Sequence, residues 1–581
     1  MFSVLKNLGW FFRREKQRYA IGLIVLIAAG FLELAPPRLL GSAIDEIVVG
    51  SITWSSLSMY ILSITGLLVL IYLITYVWMH KLFGGSNLVE RLLRTRFMNH
   101  LLRMTPPFFE RSRTGDLMAR ATNDLRSVAM TVGFGMLTLT DSTVFLAVIF
   151  VAMASLISWK LTLAAIIPLP FIALAMKVYG KIIHERYTVA QDAFGDMNDQ
   201  VLESVAGIRV IRAYVQERND ERRFEQITND VYKKNLAVAK VDAFFEPTIR
   251  LCVGLSYVIS LTYGMYLVFH NELTLGSLVS FNMYLGMMIW PMFAIGELIN
   301  IMQRGGASLD RVNETLNVEP DVQDSAMPVK VGLPDSIEFK DVTFRYPTSN
   351  MNNLEHIRLR LARGETLGVV GRTGAGKSTL LKQLLHEYPF GTGELLISGV
   401  PAGEIAKNEL HSWMGYVPQE QILFSKTVRQ NIQYGRPNAD DTLIMEAIRT
   451  AAFENDLHTL SDGLDTLVGE KGVALSGGQK QRVSLARAFI ADPEILILDD
   501  ALSAVDARTE ARIIENIRSK RSGKTTLIAT HRLSAIQHAD HIVVLEKGRI
   551  IEEGTHESLL AQGGWYREQY ERQQVESNLT D

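Results

Sequence analysis

Cysteine is almost absent: Cys252 is the only one in 581 residues. Neither a disulfide framework nor a cysteine metal centre can form within the chain. Cys252 itself falls in an apolar run, where packing accounts for it. Charge of one sign is lacking too, since 59 Lys and Arg face 62 Asp and Glu for a formal charge of -3. With no basic tail, nucleic acid is excluded as an expected partner. The marks of a secretory leader are also weak. The apolar stretch after residue 18 carries Glu33, Pro36 and Pro37 and shows no convincing small-residue cleavage site. Residues 1–18 place Leu5, Leu8, Trp10, Phe11 and Phe12 among Lys6, Arg13, Arg14, Lys16 and Arg18. That mixture predicts an amphipathic helix lying on the cytoplasmic face of a membrane.

What is present is unevenly divided. A chain of this length is too long for one core, and its 48% hydrophobic and 21% charged residues average two different halves. Repeated apolar runs fill the first half, six of them long enough to cross a bilayer: 19–47, 57–78, 133–158, 161–179, 244–269 and 275–301. Short links follow the first, third and fifth runs. The links after the second and fourth are long and basic, with Arg91, Arg94, Arg96, Arg103, Arg111 and Arg113 in one and Arg209, Arg212, Arg218, Arg222 and Arg223 in the other. Excess positive charge marks the cytoplasmic side, which predicts both termini inside. Apolar residues in the second link recur at helical spacing (Val201, Leu202, Val205, Ile208, Ile211), so helices are expected to continue beyond the bilayer.

Acidic residues within or beside the runs are Asp141, Asp242, Glu246 and Glu297. Intramembrane acids point to function, whereas those near span ends face water, and no substrate role is assigned to any of them. The sixth run is rich in Met and aromatics, among them Phe281, Tyr284, Met287, Met288, Trp290 and Met292. Such a surface suits a cavity for varied apolar molecules and equally suits packing against lipid or other helices.

A polar stretch over 319–335 reads as a linker, and 336–581 as a separate soluble domain. There, 337–346 alternates as a strand does. A buried-strand pattern at 366–370 leads into Gly371, Arg372, Thr373, Gly374, Ala375, Gly376, Lys377, Ser378 and Thr379, and then into a leucine-rich helix. Strand, glycine loop and helix together define a phosphate-binding loop. Its backbone N–H groups and helix dipole face phosphate oxygens. Lys377 is expected to reach the β- and γ-phosphates, and Ser378 to ligate Mg²⁺. A second apolar strand, 495–498, ends in Asp499, a carboxylate placed to hold Mg²⁺ through water. A third signal, Leu475, Ser476, Gly477, Gly478 and Gln479, precedes a helix about 20 residues before that strand.

Together these motifs resemble the ATP-binding-cassette superfamily, with 475–479 as its signature. The resemblance covers essentially the whole chain, and is most specific in the cassette. It implies a six-helix, all-α membrane domain of the type IV (type I exporter) fold over 1–318, then an α/β P-loop NTPase domain. It makes Tyr346 the aromatic that stacks on adenine. Gln419 becomes the glutamine that touches Mg²⁺, 503–506 the D-loop and His531 the histidine at the γ-phosphate. Glu470 fits the segment that meets the coupling helices, themselves expected near 108–124 and 213–222. Fusion of membrane domain and cassette in that order is similar to exporters.

The family's ATP sites each join a phosphate loop from one cassette to a signature from another, so a second half-transporter is implied. The position after Asp499 usually carries a catalytic Glu; here it is Asp500. The resemblance then suggests a bacterial heterodimeric multidrug exporter in the cytoplasmic membrane, moving hydrophobic or amphipathic compounds. This chain would bind ATP and Mg²⁺ at a slow site, and lend Ser476, Gly477, Gly478 and Gln479 to its partner's faster one. A homodimer, a lipid or peptide flippase and a regulatory ATPase stay open as alternatives.

Overall fold

Long helices make up the first half of the chain because its apolar runs are uninterrupted and their backbone groups must be satisfied within each segment. The computed structural model describes residues 3–469 and 475–578, so Glu470 lies outside the described residues. Two units divide the chain. One is Met1–Leu102 with Thr114–Val318, and the other is Arg103–Arg113 with Glu319–Asp581.

In the first unit, five helical runs among the described residues are long and apolar enough to cross a membrane: Lys16–Val49, Trp54–Leu101, Thr114–Ile166, Glu217–Phe269 and Leu275–Leu316. The fourth expected span is divided. Ser158 turns the chain with extended backbone and caps the next helix through Leu161 N–H. That helix, Trp159–Ile166, then breaks at Pro168 before Leu169–Ala206 resumes. Proline lacks the N–H needed in mid-helix. The expected extension beyond the bilayer is present: Glu217–Phe269 has 53 residues, about 80 Å at 1.5 Å per residue. Short helices form at or beside both of the expected link positions. A short helix forms at Pro106–Arg111, where proline at the first positions is pre-set for helical backbone. Thr114–Ala119 lies within the expected 108–124, and Ile208–Ala213 ends where the expected 213–222 begins.

The basic N-terminal segment forms Ser3–Asn7 and Gly9–Arg14, with Val4, Leu8 and Phe11 fully buried. Its apolar face therefore packs on protein. Glycines set a close helix contact in this unit. Gly41 and Gly276 abut so tightly that a Cβ on either would enter the other's carbonyl oxygen. The contact is sealed by Asp45 Oδ1, which accepts from Gly276 N–H at 2.7 Å. Small residues at such crossings let backbones approach. Gly276→Ala is expected to destabilise the unit by about 1–3 kcal/mol, seen as a lowered thermal unfolding midpoint of the purified chain.

The second unit holds two sheets. Strands β1 (Ser336–Phe344), β2 (Leu354–Ala362), β4 (Thr392–Ile397) and β5 (Val400–Pro401) form an antiparallel sheet in the order β2-β1-β4-β5. The other sheet takes β3 (Thr366–Gly371), β6 (Met414–Val417), β7 (Ile495–Asp499), β8 (Thr525–Ala529), β9 (His541–Glu546) and β10 (Arg549–Gly554). Its order is β10-β9-β3-β8-β7-β6, parallel except for β10. Both β7 and β8 are buried along their whole length, and β7 accordingly reads as an apolar run up to Asp499.

Candidate nucleotide site

Parallel register brings one end of four strands together. Val369 pairs with Ala529, Asp499 with Ala529, and Leu498 with Val417. The phosphate loop after β3, Asp499 and Asp500 after β7, His531 after β8 and Gln419 after β6 therefore emerge at the same edge. Ligands of open α/β sheets bind at such carboxyl ends.

The loop's shape needs its glycines. Gly371, Gly374 and Gly376 have φ of 150°, 80° and 106°, values that residues with a Cβ rarely adopt. A Cβ at Gly371 would also enter Leu545 O. The helix Lys377–Leu384 follows directly. Lys377 Nζ donates to the loop carbonyls of Gly371 at 2.8 Å and Arg372 at 3.1 Å. Burial holds this amine below its ordinary pKa, with Asp500 and Asp499 opposing. Ser378 Oγ donates to Asp499 Oδ1 at 2.9 Å. Burial also raises the Asp499 carboxyl, against the Ser378 hydrogen bond. The half-buried hydroxyl and the buried carboxylate thus present oxygen donors side by side and favour a nearby cation. Among the described residues no group of three or more His, Cys, Asp or Glu is placed to hold an ion. A hydroxyl and one carboxylate fit Mg²⁺ carried mainly by phosphate and water.

Around this centre, Tyr346 donates its hydroxyl to Thr379 Oγ1 at 3.2 Å, and its ring meets Tyr388 edge-on at 4.9 Å. Tyr388, buried, donates in turn to Glu110 Oε1 at 2.5 Å, on the Pro106–Arg111 helix of the same unit. Asp500 sits at φ 48° with its N–H on Ala529 O at 2.8 Å. Its Oδ1 lies 2.8 Å from His531 Nδ1. Gln419 is exposed, and among the described residues no hydrogen bond joins its side chain to Ser378 or Asp499.

Ser476 caps the helix Gly477–Ile490 in a reciprocal arrangement with Gln479, whose N–H it accepts at 3.3 Å and whose Oε1 takes the Ser476 N–H at 2.9 Å. The helix thus presents Gly477 and Gly478 at its start. No hydrogen bond joins Ser476, Gly477, Gly478 or Gln479 to the phosphate loop among the described residues. Gln479 instead reaches Asp456 Oδ1 at 3.3 Å.

Three further residues here were not legible from sequence. Gln481, fully buried, accepts the Ala504 N–H at 2.9 Å and donates to Asp500 O at 3.4 Å. Arg532 donates to Val505 O and Ser503 O, each at 3.0 Å, and pairs with buried Glu510 at 2.8 Å. Together Gln481, Arg532 and Glu510 fix the loop 503–506 against the strand end that carries Asp500. A Gln two positions after the signature and an Arg following the histidine were the only local signals.

These two units place a helical membrane domain and a phosphate-loop cassette in one chain, and the comparisons agree. Residues 19–292 match the ABC transporter transmembrane region, and residues 354–503 match the ABC transporter domain. The chain belongs to the ABC transporter family and is an ATP-coupled membrane translocase of exporter organisation. It is 60% identical over 575 residues to the probable multidrug resistance ABC transporter ATP-binding/permease protein YheI of Bacillus subtilis, covering 99% of this chain and 98% of that one. With the multidrug resistance-like ATP-binding protein MdlA of Escherichia coli it shares 42% identity over 99% of this chain and 97% of that one. The ATP-dependent lipid A-core flippase of Syntrophus aciditrophicus is 31% identical, with 99% and 96% covered. A solved bacterial Atm1-family ABC exporter with ATP bound superposes with a TM-score of 0.78 at 25% identity, over 97% of this chain and 98% of that one.

Proposed function

We propose that this chain is one subunit of an ATP-driven multidrug exporter in the bacterial cytoplasmic membrane, paired with a different half-transporter. Its termini and cassette lie in the cytoplasm, as its basic links argue. Its phosphate loop, with Tyr346, Gln419 and His531, binds ATP, and Ser378 and Asp499 hold Mg²⁺ between them. Asp500 makes that site slow. Ser476, Gly477, Gly478 and Gln479 complete the partner's site.

The observation that carries this is Asp500 itself. It has the shorter carboxylate where the family usually has Glu, bonded to His531 at 2.8 Å. The separation of the signature helix from the chain's own phosphate loop supports a second cassette. So do the exposed apolar side chains Ile208, Val210, Tyr214 and Val215 at a link tip. Two relatives bear multidrug names, and a third is named as a lipid A-core flippase, so lipid export is the second reading.

Vesicles holding the chain alone, or with a candidate partner, test both readings with a panel of amphipathic dyes and a fluorescent lipid. ATP-driven dye uptake by the pair, and little by the lone chain, is the expected result. Lipid flipping without dye uptake favours the second reading, and full uptake by the lone chain makes the exporter a homodimer.

A further inference from the structure

The helix Trp565–Asn578 is fastened at its start and reaches the nucleotide edge further along. Glu552 on β10 accepts the Trp565 N–H at 2.5 Å and the Tyr566 N–H at 3.1 Å. Its carboxylate thus satisfies two unpaired donors and sets a negative charge at the end of the helix that favours one. Tyr566 is fully buried, and its hydroxyl bonds His556 Nδ1 at 2.8 Å. About two turns on, Gln573 lies on the same helix face as Tyr566.

Gln573 uses both ends of its amide on one loop. Its Nε2 donates to His531 O at 2.8 Å, and its Oε1 accepts the Leu533 N–H at 2.9 Å. Those two groups flank Arg532, whose backbone is extended at φ -95° and ψ 115°. The amide therefore grips the loop as a neighbouring strand would, and only one of its two orientations makes both bonds. On its inner side the same loop is tied to the sheet and to 503–506. Thr530 N–H bonds Val369 O at 3.1 Å, and the Arg532 guanidinium holds Ser503 O and Val505 O. His531 projects from between these ties, exposed, with Nδ1 at 2.8 Å from Asp500 Oδ1. Helix packing would be served here by leucine, and leaves unexplained an amide spent wholly on the backbone that carries the histidine.

We propose that Gln573 is a positioning residue for His531, holding the backbone on both sides of Arg532 so that the imidazole keeps its place beside Asp500. The proposal rests on the reading of His531 as the histidine at the γ-phosphate. Without the amide, His531 O and the Leu533 N–H turn to water while the inner ties remain, and the ring loses its fixed height. ATP binding, carried by the phosphate loop and Tyr346, is untouched. Cleavage depends on where the ring stands, and slows.

The test is single-turnover ATP cleavage at this chain's site in the assembled transporter, with the partner's own catalytic carboxylate neutralised. Wild type is compared with Gln573→Leu, His531→Ala and the double variant. Leucine keeps both the helix and the bulk. Gln573→Leu is expected to slow cleavage about tenfold at saturating ATP, with ATP affinity and the thermal unfolding midpoint unchanged. His531→Ala is expected to slow it further. The double variant should be no slower than His531→Ala, because residues that act as a unit do not add. An unimpaired Gln573→Leu beside a slowed His531→Ala overturns the proposal alone. So does a Gln573→Leu loss that multiplies onto that of His531→Ala, or one that brings weaker ATP binding and a lower midpoint, since Gln573 then acts otherwise than through the histidine. Full cleavage by His531→Ala takes the γ-phosphate role from His531, and that reading fails together with the proposal built on it.

Discussion

Gly477→Asp is expected to cut ATP turnover of the assembled pair at least about 100-fold while leaving this chain's own nucleotide binding in place. The helix Gly477–Ile490 begins at Ser476 and directs its unpaired N–H groups at whatever anion faces it. A Cβ at Gly477 meets nothing nearer than Ala504 Cβ at 4.0 Å, so the substitution fits. An acid in the first turn even favours the helix by about 0.3–1 kcal/mol. The fold should therefore tolerate the change, and thermal unfolding should show it. The function should not, because the carboxylate takes the place intended for a phosphate. Two like charges about 4 Å apart oppose each other by about 4 kcal/mol at an effective dielectric of 20, enough for two to three powers of ten. Phosphate release by the pair reads the loss, and photolabelling of this chain with an azido-ATP reads the retained binding. Turnover that survives unaltered would show that this signature completes no competent site.

The cassette motifs could be read in the sequence because each is local. Gly371, Gly374 and Gly376 stand within six positions of one another, and their positive φ is a demand on residue type that sequence displays directly. Asp499 ends a strand whose burial on both faces writes itself as an unbroken apolar run. What stayed hidden depends on distant partners. Tyr388 meets Glu110 across 278 positions, and Gln481 binds the loop at Ala504 across 23. No periodicity encodes either. The link helices are only loosely marked in the sequence, because charge and apolar spacing do not mark a chain reversal; Pro106 and Pro107 open one short helix and Gly207 precedes another. The break at Pro168 was masked by apolar residues on both sides of it. Gln573 carries no mark in the sequence, since the backbone groups it holds lie 42 and 40 positions earlier.

Asp500→Glu is expected to raise ATP cleavage at this chain's site about 100-fold, and the argument for it is geometric. The Asp500 backbone is fixed by its N–H on Ala529 O at 2.8 Å, so a longer side chain moves the carboxylate and not the chain. As it stands, Oδ1 is drawn to His531 Nδ1 at 2.8 Å. One added methylene advances the carboxylate by roughly 1 Å, and a misplacement of that size costs about 100-fold when an attacking water must be oriented. The left-handed backbone at φ 48° opposes the change slightly, because Asp visits that region more readily than Glu. That strain is small beside the catalytic gain. Single-turnover cleavage by the pair, with the partner's own catalytic carboxylate neutralised, isolates this site. A lone chain that already cleaves ATP briskly, and does so no faster as Asp500→Glu, would remove the asymmetry and make Asp500 an ordinary catalytic acid.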